Sequence, residues 1–141
     1  MAQTYRSRPV EVEAPPEKVF GFLSDFRHFE ELLPEGEVEG WQADERSCSF
    51  VYGGVGRVTL AVEEAEPDRY LRIRGDSGMK IPFSLEVLLA PAGQGTRVEL
   101  VLEASLNVFV RALAERPLKE FLETLAAHLE RFDFRAGRPR P

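Results

Sequence analysis

A chain of 141 residues is the usual size of one domain with one core. With 43% hydrophobic and 30% charged residues it has the make-up of a soluble globular protein, and no apolar run approaches the roughly 18 residues a membrane span needs. The formal net charge of −6 argues against a nucleic-acid binder, whose affinity rests on a basic surface that neutralises phosphates.

Thr4 to Glu13 alternates, with Val10 and Val12 on one face and Glu11 and Glu13 on the other, which predicts a half-buried strand. Pro15 and Pro16 stop it, because proline cannot donate to a ladder but suits the first turn of a helix. Two short helices follow. Glu17 to Leu23 turns Val19, Phe20, Phe22 and Leu23 to one side. After the capping pair Ser24-Asp25, residues Phe26, Phe29, Leu32 and Leu33 recur at helical spacing until Pro34. Neither helix is long enough to be stable alone, so both must dock on something larger.

The middle of the chain predicts six strands: Val38–Ala43, Ser47–Tyr52, Gly56–Ala65, Tyr70–Gly75, Ile81–Leu89 and Thr96–Leu106. The short links between them, such as Asp44-Glu45, Pro67-Asp68 and Pro91 to Gly95, make an antiparallel meander. Val58, Leu60 and Val62, then Phe83, Leu85, Val87 and Leu89, then Val98, Leu100, Leu102 and Ala104, share one phase. Arg57, Arg72, Arg74, Glu86, Arg97 and Glu99 take the other, so one sheet face is apolar and one is wet. Residues 107–115 form an apolar approach, and Pro117 is placed to open the last helix. From there to Phe132, Leu118, Phe121, Leu122, Leu125 and Leu129 fall in one narrow arc on a helix about 24 Å long. The Pro- and Arg-rich residues 135–141 are expected to be a disordered basic tail behind a domain of residues 1–134.

The stretches VEAPPEKVFGFLSDFRHFEELLP, GTRVELVLEASLN and RPLKEFLETLAAHLERF, with this element order, resemble the START/SRPBCC superfamily, which includes polyketide cyclase and birch-pollen-allergen-like proteins. Many members carry a tryptophan in the second short helix where this chain has Phe29. The resemblance implies an α+β helix-grip fold: a seven-stranded curved antiparallel sheet, two short helices after strand 1, and a long C-terminal helix over the concave face. It also implies a ligand cavity between sheet and helix, plugged at one end by the short helices. Met79, Ile81 and Pro82 would then stand at its gate.

Under that reading the sheet lines the cavity with Phe50, Tyr52, Leu60, Ile73, Phe83, Leu85, Leu100 and Leu102, and the last helix with Phe121 and Leu125. Such a lining favours a small hydrophobic molecule: a lipid, quinone or polyketide-like aromatic. The alternative is a cyclase, aromatase or dehydrase, moving protons with His28, Tyr52, Cys48 and His128. Each has a plainer reading. His28 sits on a charged helix face, His128 at a helix boundary, Tyr52 is a buried tyrosine bonded to backbone, and Cys48, the single cysteine, is a small core residue with no basic neighbour to activate it. A third possibility is an interior filled by large side chains such as Phe20, Phe50, Phe83 and Phe121, leaving an accessory domain that acts through its surface.

Two histidines without ligand spacing point to neither a metal nor a cofactor, and GGVG lacks the features of a phosphate loop. The opening MAQTYRSRPV has no apolar h-region, so a cytoplasmic monomer or homodimer is expected, with no stable membrane insertion and no nucleic-acid partner.

Overall fold

A computed structural model of the chain describes residues 2–33, 38–52, 56–77, 82–134 and 138–139. The fold is a curved antiparallel sheet crossed on its concave side by one long helix, α2 (Val108–Arg131).

The first strand is not continuous. Ala2–Arg6 (β1) and Val10–Val12 (β2) both pair with β8 (Gly95–Ser105), but Arg6 lies opposite Val101 and Val10 opposite Val98, a register step of one residue. Pro9 has no N–H to give the ladder. Ser7 bridges the step instead: its N–H donates to Leu100 O at 2.8 Å, and its hydroxyl accepts from Leu100 N at 3.0 Å.

Helix α1 (Pro16–Leu23) begins with proline at its first position and buries Val19 and Leu23. The second short helix, Phe26–Leu32, is a 3-10 helix rather than an α-helix. The residues explain it: Phe26, Phe29 and Leu32 are three apart, so a three-residue turn stacks them on one buried edge. Asp25 caps it, accepting from Arg27 N at 3.0 Å.

The remaining strands are β3 (Val38–Ala43), β4 (Ser47–Tyr52), β5 (Gly56–Glu66), β6 (Tyr70–Ser77) and β7 (Pro82–Ala92). Spatial order is β1-β8-β7-β6-β5-β4-β3, with β2 also on β8: seven positions in the sheet, one of them shared by two strands. Two further irregularities bend it, between Glu39 and Gln42 in β3 and between Val62 and Glu64 in β5. The outer face is wet as expected. There Arg72 pairs with Glu63 at 3.5 Å, and Glu86 accepts from the Tyr70 hydroxyl at 2.7 Å.

The last helix starts nine residues before the expected position, at Val108, and Pro117 lies inside it. Asn107 Oδ1 caps it, accepting from Val110 N at 2.8 Å. Proline removes one backbone hydrogen bond and crowds the preceding turn. The helix carries through because both halves are tied down. Val110 packs on the core before the proline, and Leu118, Phe121, Leu122, Leu125 and Leu129 after it. The pairs Arg111–Glu115, Lys119–Glu115 and Arg116–Glu120, at 3.1 to 3.5 Å, support the helix on both sides of Pro117. On β1, Tyr5 carries the Lys119 ammonium 5.4 Å from its ring centroid.

Beyond α2, Phe132 and Phe134 are buried and their rings lie 4.5 and 5.3 Å from that of Phe22 on α1. Within the expected tail, Arg138–Pro139 (β10) pairs with Phe132–Asp133 (β9); the rest of that tail lies outside the described residues.

At Gly75 on β6 the Phe83 ring occupies the place a Cβ would take. Gly75→Ala should therefore destabilise the fold by about 1–3 kcal/mol in urea unfolding, and Phe83→Leu in the same chain should recover part of that loss.

Candidate functional site

The strand alternation of β4 sends Cys48, Phe50 and Tyr52 toward the helix and leaves Ser47, Ser49 and Val51 half-exposed. Phe121 of α2 meets this row, with its ring 6.5 Å from Phe50 in a stacked arrangement and 5.5 Å from Tyr52 edge-on. Trp41 of β3 stacks on the far side of Phe50 at 5.5 Å. Four aromatic rings thus connect the sheet edge to α2.

Trp41 was not legible as part of this group. Simple alternation from Val38 would turn residues 40 and 42 inward. Gly40, at φ 64°, takes up the irregularity, and residue 41 faces in instead. A glycine inside an edge strand next to the chain's one tryptophan was the available signal.

All ten expected lining residues occupy a single apolar cluster. Leu60, Ile73, Phe83, Leu85, Leu100 and Leu102 come from four strands, Leu125 joins Phe121 on α2, and Phe50 and Tyr52 complete the set. Val38, Trp41, Val62 and Val110 pack against its perimeter and are partly exposed. Val38 begins β3, Tyr52 ends β4 and Pro82 begins β7, so these strand termini share one end of the sheet. Of the expected gate residues, Pro82 is exposed there, while Met79 and Ile81 lie outside the described residues.

Polar groups inside are few. Among the described residues the buried polar side chains are Ser7 and Thr96, and both bond to backbone, Thr96 donating to Ala14 O at 2.7 Å. Burial, helped by the Asp44 charge, pushes the Cys48 thiol up to about 12, so it stays protonated at neutral pH. His28 is exposed and stacks on Phe22 with ring centroids 5.3 Å apart. His128 is half-buried and, with Tyr52, lines a groove of about 650 Å³ that includes Arg8, Glu123, Thr124 and Ala127. The four proton-handling candidates therefore do not gather at one point; only Tyr52 and His128 share a groove. Among the described residues no three His, Cys, Asp or Glu side chains are grouped so as to hold a metal ion, and no helix is long and apolar enough to cross a membrane.

With a curved sheet gripping a long C-terminal helix around an apolar interior, the chain has the helix-grip fold of the START/SRPBCC superfamily. It belongs to the family described as "Polyketide cyclase / dehydrase and lipid transport", which matches residues 2–130. No curated protein matches it. Among solved structures it is similar to TTHA0849 from Thermus thermophilus, at 26% identity over 92% of this chain and 94% of the other, with a TM-score of 0.60. Mll3558 from Rhizobium loti is similar at 23% identity, 92% and 98% coverage and a TM-score of 0.60. Norcoclaurine synthase from Thalictrum flavum shares the fold at 13% identity, 92% and 85% coverage and a TM-score of 0.69. Family and fold support a hydrophobic-ligand-binding or cyclase-type role.

The 3-10 helix is held by a titratable cap. The side-chain hydrogen bond from Arg27 holds the Asp25 carboxyl down at about 2, against an ordinary 3.8. A lowered folded-state pKa means stability that is present above pH 3.8 and lost as the pH falls toward 2. Asp25→Asn keeps a capping oxygen but removes the charge. It should flatten the acid limb of a stability-against-pH curve in that window and leave the curve near neutrality nearly parallel to the wild type.

Proposed function

We propose that the protein binds and carries a small hydrophobic molecule, a lipid, quinone or polyketide-like aromatic, between the sheet and α2. The ligand contacts Phe50, Tyr52, Leu60, Ile73, Phe83, Leu85, Leu100, Leu102, Phe121 and Leu125. The observation that supports this most is the chemistry of the interior: ten residues from five strands and one helix form one apolar surface, and the buried Ser7 and Thr96 hydroxyls are already bonded to backbone. Such a surface rewards burial of an apolar guest at roughly 25 cal/mol per Å² and offers little to orient a reaction. The carrier works in the cytoplasm, without a cofactor and without stable membrane insertion.

A second reading, a cyclase-, aromatase- or dehydrase-type enzyme, draws on one observation: Tyr52 and His128 line the same groove. A phenol and an imidazole are a workable proton-transfer pair.

Leu100→Trp places a larger ring where Leu100 is now 3% exposed. It should weaken binding of an apolar fluorescent probe at least about tenfold, while the far-UV circular dichroism stays that of the folded domain. Phe121→Ala, which enlarges the same space, should retain the probe. Unchanged probe affinity in Leu100→Trp sinks the interior site. Native mass spectrometry of protein purified from its own host should show a co-purified small molecule. Turnover of a polyketide-like substrate that disappears in both Tyr52→Phe and His128→Ala, with probe binding intact, would favour the enzyme instead.

A further inference from the structure

The outer face of α2 carries the largest exposed apolar side chains among the described residues. Phe109 is 84% exposed and Leu113 is 68% exposed, one turn apart on the first half of the helix. Patches of this kind on a soluble domain mark contact surfaces. The second half of the same face holds the groove of about 650 Å³, whose floor includes the small residues Thr124, Ala126 and Ala127.

Phe109, Leu113, Arg116, Glu120, Glu123 and Ala127 follow one another at three- or four-residue steps, so they form one stripe along the helix. The stripe is self-complementary about residue 118. Phe109 and Ala127 are equidistant from that point, about 13 Å to either side. Arg116 and Glu120 also flank it symmetrically, and so do Leu113 and Glu123.

We propose that this stripe is the interface of a homodimer in which the α2 helices of two copies pack antiparallel about a twofold axis at residue 118. Phe109 of each copy enters the groove over Ala127 of the other. Arg116 of each faces Glu120 of the other, and Leu113 lies along the stem of Glu123 and Thr124. Each contact occurs twice, as a twofold interface requires. Arg116 and Glu120 already pair within one helix at 3.1 Å, so the crossed pairing turns a surface ion pair into a four-membered network and creates no unpaired charge. A helix-to-helix contact of this size belongs to the small, transient class of interface, and the dimer is concentration-dependent. The apolar arc of α2 keeps its own contacts in this assembly, and Tyr52 is the one proposed ligand contact that also lines the groove.

The test is sedimentation equilibrium of the full chain over a concentration series. The wild type should show monomer and dimer in exchange. Phe109→Glu should weaken the dimer at least about tenfold, with circular dichroism unchanged because the side chain is exposed. Arg116→Glu should weaken it through carboxylate repulsion, and Arg116→Glu combined with Glu120→Arg should restore it. Phe109→Cys with Ala127→Cys should form a disulfide between copies, because within one helix these positions are about 27 Å apart. A wild type that stays monomeric at the highest concentration overturns the proposal. So does failure of the charge swap to rescue. A monomeric wild type that binds phosphatidylcholine–phosphatidylglycerol vesicles and loses them on Phe109→Glu also overturns it, and assigns the patch to a lipid surface.

Discussion

The contact on which the rest depends is the packing of the α2 apolar arc against the concave phase of the sheet. Each strand from β4 to β8 presents one set of apolar side chains to the core. Phe121, Leu122, Leu125 and Leu129 are buried to within a few per cent against that surface. Fully burying one such side chain is worth about 1.5–3 kcal/mol. Proline in a helix interior costs about 3 kcal/mol or more. One or two of these side chains offset it, which is why α2 runs unbroken through Pro117. The two short segments after β2 survive for the same reason: α1 and the 3-10 helix place Val19, Leu23, Phe26, Phe29 and Leu32 into the same core.

The shape of that contact is set by irregularities in the ladder rather than by its regular parts. A flat sheet would meet a straight helix along a line. Here the step at Ser7, the irregularity at Gly40 and the one after Val62 each add local bend, because a bulged strand turns more sharply than its partner. Gly75 removes a side chain so that the Phe83 ring can lie against the backbone. The sheet curves around α2 and its apolar side chains converge on the helix from several directions. A guest between them would therefore be held by burial on many sides, with few directional bonds.

Much of the architecture was written in periodicity. The period-two runs of β4, β5, β7 and β8 assigned inward residues correctly, and the apolar arc of the last helix identified its buried face. Periodicity failed where the backbone leaves its regular repeat. Pro9 split a strand whose alternation looked continuous from Thr4 to Glu13. Gly40 reversed the phase that would have turned Trp41 outward. The three-residue spacing of Phe26, Phe29 and Leu32 fits an α-helix nearly as well as a 3-10 helix, and only docking chooses between them. The start of α2 was misplaced because proline is a good first residue and a poor interior one. Its cap, Asn107, lay ten residues earlier, before a segment whose exposed Phe109 and Leu113 do not follow the inward pattern. For the candidate site, the burial of the ten expected residues in one apolar cluster was legible because burial is a pattern property. Whether Tyr52, Cys48, His28 and His128 converge depends on long-range geometry, which no local spacing encodes.

The polar groups divide the two functional readings by location. A thiol held near 12 cannot act as a nucleophile at neutral pH, and hydroxyls tied to backbone carbonyls or amides are not free to shuttle protons. Of the four proton-handling candidates, Tyr52 and His128 line one groove. That groove reaches from the outer residues of α2 to Ser7, Tyr52 and Ala126, which are buried, so Tyr52 borders both the groove and the apolar interior. A proton-transferring pair there would act at the margin of the interior. A dimer seated in the groove would cover that margin. The same helix carries two surfaces with different requirements: an inner one that rewards apolar burial, and an outer one in which Arg116 and Glu120 set the register.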